Sequence, residues 1–105
     1  PIILRLLSER KRLYGYEITQ LVKEISDGKI ELTFGALYPI LHKLEVDGVV
    51  KTESEVINNR NRIYYSLTET GKNTAKERVA ELEDFVNTLR VLLKPNFGLE
   101  YTIAK

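Results

Sequence analysis

Apolar side chains recur at helical spacing in four stretches of this chain, and the polar residues between them set out its elements. Ile3, Leu4 and Leu7 mark residues 2–9 as the end of a first helix whose earlier turns would precede Pro1, and "RKRLYG" interrupts it. Ile18, Leu21, Val22 and Ile25 share one face of a second helix over residues 16–26. "SDGK" ends that helix, with Gly28 suited to the left-handed position that closes helices. The alternation of "KIEL" is that of a short strand. Leu37, Ile40, Leu41 and Leu44 form the inner face of a third helix, capped by the Thr33 hydroxyl and closed by Gly48. "VVKTESEV" and "RIYYSL" are β-branched and aromatic runs around the polar "INNRN", the composition of a β-hairpin. Within it, alternation places Ile63, Tyr65 and Leu67 on a core face and Arg62, Tyr64 and Ser66 on the other. A last helix of about 26 residues starts at the Thr68 cap and stops before Pro95. The tail "NFGLEYTIAK" has no clear period.

The order is helix, helix, short strand, helix, hairpin, long helix: a mainly α chain with a small β-hairpin. Three helices followed by a two-stranded wing are the layout of a winged helix-turn-helix, whose third helix enters a DNA groove while the hairpin lies along the backbone. Residues 1–67 would form that domain and residues 68–105 a dimerisation helix with its tail.

The third helix carries an unusual outer face. On a wheel of 100° per residue, Gly35, Pro39 and His42 lie opposite the apolar side, with Ala36, Tyr38 and Lys43 on its flanks. Gly35 and Ala36 allow a backbone to approach a phosphate closely, and the amides behind Thr33 favour anions. Pro39 removes a donor that would otherwise stay unpaired on a desolvated surface. Its alternative reading is a helix irregularity without a contact role. Tyr38 offers either a core-edge aromatic or, as expected here, a phosphate-bonding hydroxyl. In the wing, Arg60 and Arg62 are placed to bond phosphates or reach a minor groove, although a solvated turn would hold the same residues.

Composition changes this picture in one respect. With 43% hydrophobic and 30% charged residues the chain is ordinary globular sequence, but its net charge is only +1. Over residues 29–67, Lys29, Lys43, Lys51, Arg60 and Arg62 balance Glu31, Glu45, Asp47, Glu53 and Glu55. The basic stretch is "RLLSERKR", and a claim of DNA binding has to rest on arrangement rather than bulk charge. The absence of cysteine removes disulfides and thiolate metal sites and suits a cytoplasmic protein. A lone histidine, no Gly-rich phosphate loop and no supported carboxylate pair give no catalytic, metal or cofactor site. No apolar run approaches the roughly 20 residues of a membrane span, and "PIILRLL" is too short for a signal peptide.

"YGYEI", "GALYPILHKLEVDGVV" and "RIYYSLTETG" resemble, in order, the matching stretches of the PadR-like family of winged-helix regulators. The resemblance spans residues 14–71. It implies a bacterial or archaeal transcription factor, usually a repressor. Such a protein would bind a pseudo-palindromic operator as a homodimer and, in many members, leave it when a small molecule binds. It also implies that Tyr38 and the third-helix face contact DNA, with Arg60 and Arg62 as wing contacts. Two departures stand out: Asn59 replaces a usual glycine, and Ile63 a usual basic residue.

Ala75, Val79, Leu82, Val86, Leu89 and Leu93 follow one another at steps of four and three along the last helix, a seam widened by Phe85 and Leu92. A helix this long has too few partners within so small a domain, so dimerisation is the expected use, against a helix folded back on its own first helix. Relatives often present a tryptophan near Leu82, and this chain has none. An aromatic-stacking effector pocket of that type is not expected. The alternative function is a winged helix used only for protein–protein contact.

Overall fold

The computed structural model describes residues 1–95, so the C-terminal tail lies outside the described residues. The elements are α1 (Ile2–Glu9), β1 (Leu13–Tyr14), α2 (Gly15–Ile25), α3 (Phe34–Val46), β2 (Val50–Ile57), β3 (Arg60–Leu67) and α4 (Glu69–Leu93). The three strands form one antiparallel sheet in the order β1-β3-β2. This is the winged-helix arrangement that the apolar periodicity describes.

One core joins all of these elements. Leu4 of α1, Leu13 of β1, Ile18 of α2, Leu37 and Leu41 of α3 and Val50 of β2 are fully buried. Each such side chain contributes about 1.5–3 kcal/mol relative to exposure. Helix ends follow the expected chemistry. The Thr33 hydroxyl accepts from the Ala36 N–H at 3.2 Å and caps α3, and Gly48 takes φ +75 beyond its end. The wing turn is the tight Asn58–Asn59 pair, both residues with positive φ, which sets Ile57 opposite Arg60. Asn59, at φ 61, occupies a left-handed position that glycine fills at no steric cost and asparagine tolerates.

Four expectations are corrected. "KIEL" is not a strand, because the Ile30 N–H is bonded to the Ser26 hydroxyl at 3.0 Å rather than to a ladder. The third strand is instead Leu13–Tyr14, inside the stretch read as a break, paired with Tyr65 and Tyr64. Ile25 and Ile40, expected in the core, are 71% and 43% exposed: Ile25 is the last residue of α2, and Ile40 lies at the rim of a surface cavity with Ile30 and Leu32. Ile63 is 47% exposed because the wing extends past the core, which only Tyr65 and Leu67 of its face reach. Tyr64, expected on the open face, is buried, since Arg12 covers its ring and Tyr14 packs against it edge-on.

The start of α4 is fastened to the turn that precedes β2. The Thr68 hydroxyl donates to the Gly48 carbonyl at 2.6 Å and accepts from the Gly71 N–H at 2.9 Å. The Thr68 N–H donates to the Val49 carbonyl at 3.0 Å. Gly71 and Ala75 are buried there, and beyond Val79 the helix leaves the body. The radius of gyration, 18.3 Å, exceeds the roughly 13 Å of a compact chain of this length. A 25-residue helix is about 37 Å long, just over half of the longest extent of 69 Å.

Candidate nucleic-acid interface

Pro39 leaves α3 unbroken from Phe34 to Val46. It removes the donor that the Gly35 carbonyl would have received. Gly35 is itself exposed, on the outer side of the helix. Phe34, Gly35, Ala36, Tyr38, Pro39, His42 and Lys43 are all exposed on the outer surface of α3. The Lys43 ammonium pairs with Asp47 at 3.4 Å one turn along the helix.

Between the N-terminal half of α3, the start of α2 and the wing lies a groove of about 910 Å³. It exists because β1 is only two residues long and covers β3 no further than Tyr64, leaving residues 60–63 as an open edge. Tyr38 lines one wall, Arg60 and Arg62 the other, and no carboxylate lines it among the described residues. The structure thus brings together three of the sequence-selected residues. Thr33, Gly35, Ala36, Pro39, His42 and Lys43 lie on the surface of α3 outside the groove lining. Ile63 also lines the groove, in the place where a basic residue is usual.

Tyr38 stacks on Phe34 with ring centres 5.6 Å apart. A Cβ at Gly15 would come within 2.6 Å of the Tyr38 oxygen, so the phenol lies against the first turn of α2. That hydroxyl has no hydrogen-bond partner among the described residues and is free to bond a ligand. The Tyr65 phenol is shifted above its ordinary pKa, first by burial and then by Tyr38 and Glu45.

Arg62 is held from two sides. Its guanidinium sits 4.0 Å from the centre of the Tyr14 ring and donates from Nη1 to the Tyr64 hydroxyl at 3.2 Å. The hydrogen bond to Tyr64 outweighs partial desolvation and moves the guanidinium pKa up, so Arg62 is cationic at any physiological pH. Tyr14 and Tyr64 themselves meet edge-on at 5.6 Å. Arg12 caps the far side of Tyr64 at 3.8 Å and is tied to Glu53 at 3.2 Å and Glu55 at 2.6 Å. Arg60, at the head of β3, is exposed. Sequence reasoning missed Phe34, Tyr14 and Tyr64 in this site. It missed Arg12 as well, for which the available signal was the two-residue spacing of Glu53 and Glu55, which puts both on one strand face as a seat for a cation.

The seam residues divide. Ala75 is only 1% exposed because the chain's own core covers it, so it has no surface for a partner. Val79 is half-buried, while Leu82, Phe85, Val86, Leu89, Leu92 and Leu93 are exposed along the free part of α4.

A family model described as the transcriptional regulator PadR-like family matches residues 3–77. The chain belongs to this family. The PadR-like match covers all of the body described above and stops within the first turns of α4. The transcriptional regulator Rv3488 of Mycobacterium tuberculosis is 36% identical over 64 residues, 61% of this chain and 60% of that protein. A transcriptional regulator from Clostridium thermocellum has a similar structure, with a TM-score of 0.78, 29% identity, and 89% of this chain and 90% of that one covered. PadR of Bacillus subtilis, solved in complex with operator DNA, matches with a TM-score of 0.67 and 28% identity over 74% of this chain and 44% of that one. The family consists of transcriptional regulators, not enzymes. No helix among the described residues is long and apolar enough to cross a membrane.

Proposed function

We propose that this PadR-like protein is a cytoplasmic, sequence-specific DNA-binding repressor that acts as a homodimer on a pseudo-palindromic operator and is released by a small molecule. The observation that carries the reading is the groove. Two arginines and a free phenol converge in a cleft without carboxylates, beside an exposed α3 face, on a chain that is otherwise nearly neutral. The structural likeness to Bacillus subtilis PadR, solved with operator DNA, supports it.

In this reading α3 lies in the major groove. Ala36 and Pro39 present apolar surface suited to thymine methyl groups, and His42 and Lys43 supply the polar contacts to base edges or phosphates. The Tyr38 hydroxyl and the wing arginines hold the backbone and set the register. The exposed apolar row of α4 pairs with its copy, and the two recognition helices sit about one turn of DNA, ~34 Å, apart.

The test is binding of the full chain to DNA from upstream of its own gene across a range of salt concentrations. Two arginines per protomer neutralise four phosphates per dimer, so log K should fall against log salt with a slope of at least roughly −3.6. Absent or salt-independent binding would refute the reading and favour a winged helix used for protein–protein contact.

A further inference from the structure

The densest positive charge in this chain is not in the groove. A cavity of about 580 Å³ opens between the end of α1, the base of the wing and the first turns of α4. Arg10, Lys11, Lys51, Lys72 and Lys76 line it, against the single carboxylate of Glu9. Glu9 is already paired with Arg5 at 2.9 Å. Of the five cations, only Lys72 has a carboxylate within ion-pair distance among the described residues, Glu69 at 3.2 Å. The chain carries +1 overall, so a lining of five cations and one anion leaves the remaining residues net negative. The charge is gathered here, in a chain whose bulk composition does not supply it.

Like charges converging on one concavity repel each other, and the repulsion is relieved when an anion enters. Leu7 and Leu67, both buried, give the cavity an apolar floor, and the Ser66 side chain adds a hydroxyl at its wall. Five cationic side chains around an apolar floor describe a pocket for a small anion. A DNA backbone is the rival partner, and none of these residues lines the groove between α3 and the wing.

We propose that this cavity binds a small metabolite carrying two or more phosphate groups. Its phosphates sit between Lys51 of the wing base and Lys76 of α4, with Arg10 and Lys11 closing over them. Bound there, the ligand bridges the wing to α4. The site goes beyond the DNA-binding reading and does not rest on it.

Inorganic tripolyphosphate is the probe, titrated into the full chain by calorimetry at fixed ionic strength, with sulfate as the comparison anion. Saturable binding of one tripolyphosphate per chain is expected, with sulfate far weaker. Each lost lysine–phosphate contact is worth about tenfold in Kd, so Lys51→Gln with Lys76→Gln should weaken binding about 100-fold. Both lysines are exposed, and an unchanged melting temperature in the absence of anion checks that the variant folds. Lys11→Gln provides an independent variant with an expected loss of about tenfold. The proposal is overturned by an absence of saturable binding, or by equal affinity in wild type and double variant. It is also overturned if the double variant keeps tripolyphosphate affinity but loses DNA affinity with a shallower salt slope, because the lysines would then be DNA backbone contacts.

Discussion

Gly71 offers a test in which local propensity and tertiary packing predict opposite signs. It lies in the first turn of α4, where replacing glycine by alanine ordinarily favours a helix, by up to about 1 kcal/mol. In this fold a Cβ at position 71 would stand 1.9 Å from the Val49 carbonyl oxygen and 2.9 Å from its carbon. Neither atom belongs to a flexible side chain. Val49 is held by the Thr68 N–H at 3.0 Å, and the Thr68 hydroxyl is fixed to Gly48 at 2.6 Å. To admit the methyl group, α4 has to move more than 1 Å away from Val49 (a Cβ and a carbonyl oxygen need roughly 3.2 Å), which breaks these bonds. Overpacking typically costs about 1–3 kcal/mol, and a lost cap adds about 1, so Gly71→Ala should destabilise the chain by roughly 2–4 kcal/mol. For a chain of this size each kcal/mol lowers Tm by about 4 °C or more, so the expected fall is roughly 10 °C or more. Urea denaturation followed by circular dichroism measures it, with exposed Asn73→Ala as the propensity control, expected within about 0.5 kcal/mol of wild type. A Gly71→Ala variant as stable as wild type, or more so, would refute the packing of α4 on the turn before β2 described here.

The other predictions concern the proposed function. Leu82→Glu or Val86→Lys places an unpaired charge in the exposed row of α4, and sedimentation should then show a monomer where the wild type is a dimer; a wild type already monomeric at tens of micromolar, roughly where such a seam should hold, would remove the dimer. Tyr38→Phe keeps the stack on Phe34 and deletes only the hydroxyl. DNA affinity measured by fluorescence anisotropy should fall by about 0.5–2 kcal/mol on operator and unrelated DNA alike, whereas unchanged affinity would mean the phenol touches no phosphate. Arg62→Ala should lower the salt slope by roughly 2, since a dimer loses two contacts. Arg60→Ala should act less, because Arg60 lacks the aromatic and hydroxyl partners that order Arg62 in advance; equal slopes in wild type and both variants would take the wing off the DNA.

The helices were legible in the sequence because each carries its apolar residues at helical spacing, and α3 and α4 start at residues with their own capping chemistry. Thr33, Gly48 and Thr68 act where their residue types predict, and α4 runs one residue short of the expected length. The wing was legible because two adjacent asparagines accept left-handed backbone. β1 was not, since a two-residue strand has no period of its own and is defined only by its pairing with Tyr64 and Tyr65. Ile25, Ile40 and Ile63 misled for a common reason. Apolar spacing reports that a face is hydrophobic, but not whether the chain supplies enough neighbours to bury it.

The candidate site follows the same division. Tyr38, Arg60 and Arg62 could be selected one at a time, from residue type and position on a helix or turn. What makes Arg62 a defined contact is an arrangement of residues distant in sequence. β1 places Tyr14 beside Tyr64, the Tyr14 ring and the Tyr64 hydroxyl hold the guanidinium, and Arg12, anchored by Glu53 and Glu55, covers the Tyr64 ring. Of the acidic residues that balance this stretch, Glu53 and Glu55 are paired with Arg12 and not with Arg62, although Glu55 lies opposite Arg62 in the sheet. The groove lining thus holds Arg60 and Arg62 and no carboxylate among the described residues, although the stretch from 29 to 67 has no net charge. Counting charges along the chain could not reveal this, because which cation an acid neutralises depends on which strand face it occupies. A nearly neutral protein can in this way present a cationic groove at one end and a cationic cavity at the base of the wing.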